Sequence, residues 1–226
     1  DEGVYHNQAE LEADKDRKIQ FYAGTIPAAN RKPIVGDTRW KDVNGDGIID
    51  SRDRVVLGRT TPDFIGGFTT DFTYKNINLF VKTDYAVGHL INNAVRTRGI
   101  SQVQGNMNWT SEIKDTWTPE NPNANIPRYD FTDPRGNHKA GGEGQYSASS
   151  RYWEKGDYLA LREITLSYNL PGAAVNNAFK DIRLFVSGTN LAYFTKYTGY
   201  SPEKGGWDSG RFPLPRSFTF GINATF

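Results

Sequence analysis

The chain has 226 residues, a formal net charge of +1 and no cysteine, while aromatics make up 13% and glycine accounts for 23 residues. The charge balance excludes the basic footprint of a nucleic-acid-binding protein, and the missing cysteine excludes both a disulfide framework and a thiolate zinc site. The aromatic, glycine-rich composition favours β structure with many turns over a helical bundle; no apolar run reaches the length of a transmembrane helix, and no signal peptide opens the sequence.

Residues 1–20, DEGVYHNQAELEADKDRKIQ, are charged and helix-prone from Ala9 to Lys18, and read as a surface-loop segment rather than a separate domain. The next distinct feature is DVNGDGIIDSRD, residues 42–53. Asp42, Asn44 and Asp46 fall at the first, third and fifth positions of the twelve-residue EF-hand pattern, and Gly47 at its sharp turn. Ile48 follows at the carbonyl position, with Asp50 at the ninth and Asp53 at the twelfth. Alternate residues of a tight turn aim several oxygens at one point, which suits a hard cation. A cage made almost wholly of protein oxygen favours calcium over magnesium. Asp in place of Glu at the last position weakens bidentate closure. The bland alternative is a solvated Asn/Asp/Gly turn. No helix flanks the loop to make it a helical sensor.

Five segments then carry a period of two, each about ten residues long. In 64–74, Phe64, Phe68, Phe72 and Tyr74 oppose Thr69, Asp71 and Thr73. In 77–87, Ile77, Leu79, Val81, Tyr85 and Val87 oppose Asn78, Phe80, Lys82 and Asp84. In 157–169, Tyr158, Ile164, Leu166 and Tyr168 oppose Glu163, Thr165, Ser167 and Asn169. In 181–191, Ile182, Leu184 and Val186 oppose Arg183, Phe185 and Ser187. In 216–226, Phe218, Phe220, Ile222, Ala224 and Phe226 oppose Ser217, Thr219, Gly221, Asn223 and Thr225. The connections alternate in length: two residues at Lys75-Asn76, a long irregular stretch from Gly88 to Gly156, a short one from Pro171 to Lys180, and a longer one from Ala192 to Pro215. Outer-membrane barrels alternate short periplasmic turns with long extracellular loops, whereas compact soluble domains rarely hold a loop as long as 88–156. With Lys75-Asn76 periplasmic, the strand at 64–74 runs inward, and the loop at 42–53 lies outside the cell. The expected organisation is an extracellular loop over 1–62, carrying the cation loop at 42–53, followed by barrel strands and loops over 63–226. Calcium would then pin an extracellular loop, where weak affinity suffices.

Four stretches carry a resemblance: KDVNGDGIIDSRDRVVLGRTTPDFIGGFTTDFTYKNINLFV, YLALREITLSYNLP, RLFVSGTNLAYFTKYTGYSPE and FPLPRSFTFGINATF. In order and spacing they resemble the C-terminal part of SusC/RagA-type TonB-dependent outer-membrane transporters of Bacteroidetes; 88–156 resembles them least. The resemblance implies an all-β fold, here about five antiparallel strands of a plugged barrel of ~22 strands. It implies energised import of oligosaccharides or other large nutrients such as peptides, a SusD-like surface lipoprotein as lid, and TonB as the energy source. The chain lacks a plug domain and a TonB-contacting segment, so the resemblance marks it as a segment of such a transporter that does not transport by itself. It also implies that the terminal strand, ending on Phe226, is presented to the barrel-assembly machinery; the alternative is that Phe226 is an ordinary lipid-facing residue.

The remaining candidates are weighed on the same frame. Lys82, Asp84, Glu163 and Arg183 take the polar parity and are candidate lumen-facing residues, for contact with substrate or plug, or as a hydrated wall of mutual ion pairs. Glu163 beside Arg162 is read as a wall residue rather than a catalyst. His6, His89 and His138 lack any metal-ligand spacing, and GGEG at 141–144 lacks the lysine of a phosphate loop. Trp109, Trp117 and Trp207 lie in the long loops and suit loop packing more than stacking on sugar rings. No catalytic constellation emerges, so a secreted hydrolase ranks below the transporter segment, as does a soluble calcium-stabilised glycan-binding module.

Overall fold

The computed structural model of the chain describes residues 1–20, 32–101, 108–130, 136–138, 149–171, 179–203 and 205–225. These form two compact units that interleave in sequence. One comprises Asp1–Gly58, Asn92–Glu154 and Trp207–Gly210; the other comprises Arg59–Ile91, Lys155–Gly206 and Arg211–Phe226.

In the first unit, helix α1 (Gln8–Ala13) starts where the Asn7 side chain accepts the Glu10 N–H at 3.0 Å. The helix stops well before Lys18. Beyond it the Asp14 carboxylate accepts from Arg39 Nε at 2.8 Å and from the Tyr5 hydroxyl at 3.2 Å. Burial, reinforced by the Asp14 charge, pushes the Tyr5 phenol up to about 12. Two short strands, β1 (Lys18–Ile19) and β2 (Ile48–Ile49), pair in parallel. Ile19 and Ile49 on these strands are buried, as are Val4, Tyr5 and Trp40 of the same unit. A second buried cluster joins Ile100 of helix α2 (Ala94–Ser101) to Ile126 and Tyr152, with Ile113 against it. The sequence between Gly88 and Gly156, expected to be irregular, therefore holds folded elements and a share of a core.

The second unit is an antiparallel sheet of β3 (Phe64–Tyr74), β4 (Ile77–Val87), β7 (Tyr158–Asn169), β8 (Asp181–Thr195) and β10 (Ser217–Thr225), in the order β10-β8-β7-β4-β3. Three short strands, β5 (Leu90–Asn93), β6 (Trp153–Lys155) and β9 (Gly206–Asp208), lie where the chain passes from one unit to the other. Sheet neighbours are thus successive long strands, as in a meander. Lys75 closes the β3–β4 turn with a left-handed φ of 51°, which a two-residue hairpin loop demands. Outer strands β3 and β10 each have one partner.

Register gives the sheet two distinct faces. One row runs Phe72, Leu79, Leu166, Val186, Phe220; the next runs Tyr74, Ile77, Tyr168, Leu184, Ile222. On the opposite face a row runs Thr69, Lys82, Glu163, Thr189, Ser217, and another Asp71, Phe80, Thr165, Ser187, Thr219. Gly66 and Gly221 sit opposite aromatics, Tyr85 and Phe185, whose rings lie over them; a Cβ on Gly221 would come within 2.4 Å of the Phe185 ring. On the apolar face, Phe64, Phe68, Phe72, Phe218, Phe220 and Ile222 are all at least 62% exposed. An apolar surface of this extent needs a nonaqueous neighbour.

Two features of the strands differ from the simple alternation. Leu161 pairs with Thr83 and Glu163 with Lys82, so Arg162 is an extra residue, a β-bulge. The bulge inverts parity, placing Leu159 and Leu161 on the apolar face with Ile164 and Leu166. Tyr158, expected on that face, instead lies on the polar face, where its hydroxyl donates to Asp84 at 3.3 Å. Across the bulge, Asn190 of β8 takes a left-handed φ of 52°, and the ladder continues to Thr195, beyond the end expected near residue 191.

Candidate functional site

The cation loop has the backbone that the pattern requires. Gly45 and Gly47 adopt φ values of 76° and 74°, which only glycine tolerates freely. Asp42 accepts the N–H groups of Gly45 at 2.7 Å and Gly47 at 2.8 Å, and Asp53 accepts those of Val43 and Asp50, each at 2.8 Å. Asn44 Oδ1 accepts Asp46 N–H at 3.0 Å, while Asp46 Oδ1 accepts Ile48 N–H at 2.8 Å. The carbonyls of Gly47 and Ile49 accept from Lys18 and Gln20, so the intervening Ile48 carbonyl points the other way. One residue outside the pattern intervenes: the Arg52 guanidinium pairs with Asp46 at 2.8 Å and Asp50 at 2.9 Å. This hydrogen-bonded cation holds the Asp50 carboxyl below the usual carboxylate range. Among the described residues, no group of three or more His, Cys, Asp or Glu side chains is gathered as a metal cluster. The loop has the glycine turn and the spacing of oxygens, but those oxygens accept the loop's own N–H groups, and the positive charge beside Asp46 and Asp50 is that of Arg52.

The four residues of polar parity share one face of the sheet, with Arg183 in a row well removed from that of Lys82 and Glu163. Lys82 and Glu163 are register partners, and Glu163 Oε1 accepts from the Thr165 hydroxyl at 2.8 Å. Arg183 lies on the same face, opposite Asn169 and Asn223. Asp84 makes a bidentate pair, but with neither Lys82 nor Arg183: its partner is Arg162, whose Nε and second terminal nitrogen both reach it. Arg162 also donates to the Tyr193 hydroxyl at 2.7 Å and to Glu203, on the connection after β8. Arg162, Tyr193 and Glu203 are the polar-face residues that sequence reasoning passed over. The clue was present: Leu159 and Leu161 are odd, Ile164 and Leu166 even, and a switch of parity inside one strand requires a bulged residue between them.

Of the loop tryptophans, Trp117 follows the packing expectation, whereas Trp109 and Trp207 stay 44% and 45% exposed. The Trp117 ring covers Gly36, leaving a Cβ there only 2.4 Å of clearance. Trp109 meets Tyr129 edge-on, with centroids 4.7 Å apart. Phe226 and the 141–144 tip lie outside the described residues.

No protein-family model matches the chain. TonB-dependent receptor P26 of Formosa agariphila is 30% identical over 239 residues, covering 99% of this chain and 22% of the relative. TonB-dependent receptor SusC of Bacteroides thetaiotaomicron is 26% identical over 200 residues, covering 87% of this chain and 18% of the relative. The chain thus spans about a fifth of the length of the curated relatives it matches. Among solved structures, the RagAB peptide transporter superposes with a TM-score of 0.62 at 24% identity, over 76% of this chain and 18% of that one. At that identity the likeness establishes the fold: a portion of a large antiparallel barrel wall, left open in the present segment. Sequence relatives and fold agree, and the chain belongs to the SusC/RagA-type TonB-dependent receptors, of whose β-barrel it supplies five strands.

Proposed function

We propose that the chain forms part of the wall of an outer-membrane importer, energised through TonB, that takes up oligosaccharides or other large nutrients beneath a SusD-like surface lipoprotein. The observation that carries this reading is the five-strand sheet with one continuous apolar face and one polar face. The apolar face meets outer-membrane lipid; the polar face, with Lys82, Asp84, Glu163 and Arg183, lines the lumen. A soluble glycan-binding module would have to cover the apolar face with protein.

Orientation gives a direct test. The two-residue turn at Lys75-Asn76 faces the periplasm, and the connection after β8 faces outside. In cells making the intact receptor, Thr198→Cys should react with a membrane-impermeant thiol reagent and Asn76→Cys should not. Reversed labelling would overturn the proposed topology.

The 42–53 loop is proposed as a structural calcium site on the extracellular side, with Asp42, Asn44, Asp46, Asp50 and Asp53 and the Ile48 carbonyl as donors. Calcium must displace Arg52 from Asp46 and Asp50, so Arg52→Gln should bind calcium more tightly than the parent, by roughly tenfold, if one cation contact of this kind is relieved. Asp46→Ala should bind it more weakly. Calorimetry on the intact receptor reads both changes; unchanged calcium uptake in the two variants would remove the site.

A further inference from the structure

The bulge at Arg162 does more than shift parity. It turns the guanidinium onto the polar face, where four groups converge on it or on one another. Asp84, one strand away, takes a bidentate pair. The Tyr193 hydroxyl on β8 accepts at 2.7 Å. The Tyr193 ring lies under the guanidinium carbon, 5.3 Å from its centroid. Glu203 receives both Arg162 and the Tyr193 hydroxyl. Glu203 is the one member of this set that is not on a long strand. Its partners are, and they are held by the ladder.

The same connection is tied at a second point. Pro202, adjacent to Glu203, is buried, and its carbonyl lies 3.1 Å from Nε2 of the buried His89. The Tyr197 ring closes back over Gly199, leaving no room for a Cβ there. The segment from Tyr197 to Glu203 is therefore tied to the polar face at Glu203 and to His89, just past the end of β4, at Pro202.

We infer that Arg162 is a positioning residue that latches the connection after β8 onto the polar face of the barrel wall through Glu203, so that this connection narrows the lumen at its outer mouth. The narrowing rests on the reading that the polar face lines the lumen; the latch itself does not. Arg suits this task because its planar fork pairs bidentately with Asp84 while still donating to Glu203, a fixed geometry that a lysine point charge does not impose. A bulge suits it because a residue in regular register would point either directly across to Lys82 or out into the apolar face.

The latch is tested on the purified intact receptor. Ser201→Cys provides a reporter beside Glu203, and this chain has no cysteine of its own to compete. Glu203→Gln, which keeps the shape and removes the charge, should raise the thiol-labelling rate at position 201 on the order of tenfold, the worth of one charge-assisted hydrogen bond discounted for its partial exposure. Tyr193→Phe, which leaves the Arg162–Glu203 pair in place and removes only the hydroxyl's bonds to the two, should raise it by a smaller factor. The heat-modifiable mobility of the folded barrel should be the same in both variants and the parent. An unchanged labelling rate in both variants would overturn the latch, as would a rise accompanied by loss of the heat-modifiable form. Measurement in detergent makes the rate ratio independent of which side of the membrane the connection occupies; that question belongs to the whole-cell labelling at Thr198 and Asn76, so failure of one leaves the other standing.

Discussion

Leu166→Arg in the intact receptor is expected to destabilise the folded barrel by about 2–4 kcal/mol and to reduce the protein recovered in the outer membrane. Leu166 sits on the central strand β7, between Leu79 and Val186, in a row that continues to Phe72 and Phe220 without a polar residue. If that face meets lipid as proposed, an arginine there is placed in hydrocarbon, with no neighbouring carboxylate in the row to pair with it. Thr69→Arg provides the control, because Thr69 lies on the opposite face beside Lys82 and Glu163. That change should stay within about 0.5 kcal/mol, as a substitution on a hydrated surface does. Denaturant unfolding of the receptor in lipid vesicles measures both. Equal tolerance of the two substitutions would mean that the Leu166 face does not touch lipid.

Arg162→Met should cost about 2 kcal/mol by the same measurement. Removing one member of a fully buried ion pair costs ~3–5 kcal/mol, because the other charge is left without a partner. Here the Arg162 and Asp84 side chains keep 19% and 29% of their exposure, so water takes up part of the loss. Adding Asp84→Asn to Arg162→Met should restore part of the stability, since the double variant no longer holds Asp84 as an unpaired carboxylate, while Glu203 keeps the Tyr193 hydroxyl as a donor. The expected coupling is about 1 kcal/mol. Strictly additive effects would show that the pair contributes nothing as a pair.

The sequence made the sheet legible where one local rule governs a whole element. Strand β10 alternates without interruption, and the Lys75-Asn76 hairpin fixes the register of β3 on β4. Alternation also placed Lys82, Asp84, Glu163 and Arg183 on one face. It failed at Tyr158, because a single extra residue at Arg162 inverts everything before it, and a count of apolar residues over the full strand averages the two halves together. The Arg162–Glu203 contact was hidden for a different reason: its members are 41 residues apart, and although Arg162 breaks the alternation of its own strand, nothing around Glu203 marks it as the partner. The first unit was hidden likewise. Nothing periodic announces that 1–58 shares a compact unit with 92–154, since that core is built from isolated residues such as Ile100, Ile126 and Tyr152. In the cation loop the spacing of the oxygens was legible, whereas Arg52, adjacent in sequence, became a competitor only once the turn folded it onto Asp46 and Asp50.

The central claim is that this sheet is barrel wall, with lipid on one side and a watery lumen on the other. Single cysteines along β10 test it most directly, in the intact receptor reconstituted into vesicles. Cysteines at Phe218, Phe220 and Ile222 should react with a lipid-partitioning maleimide and resist a charged thiol reagent; cysteines at Ser217, Thr219 and Asn223 should do the opposite. Equal reaction of both sets with the charged reagent would contradict the account.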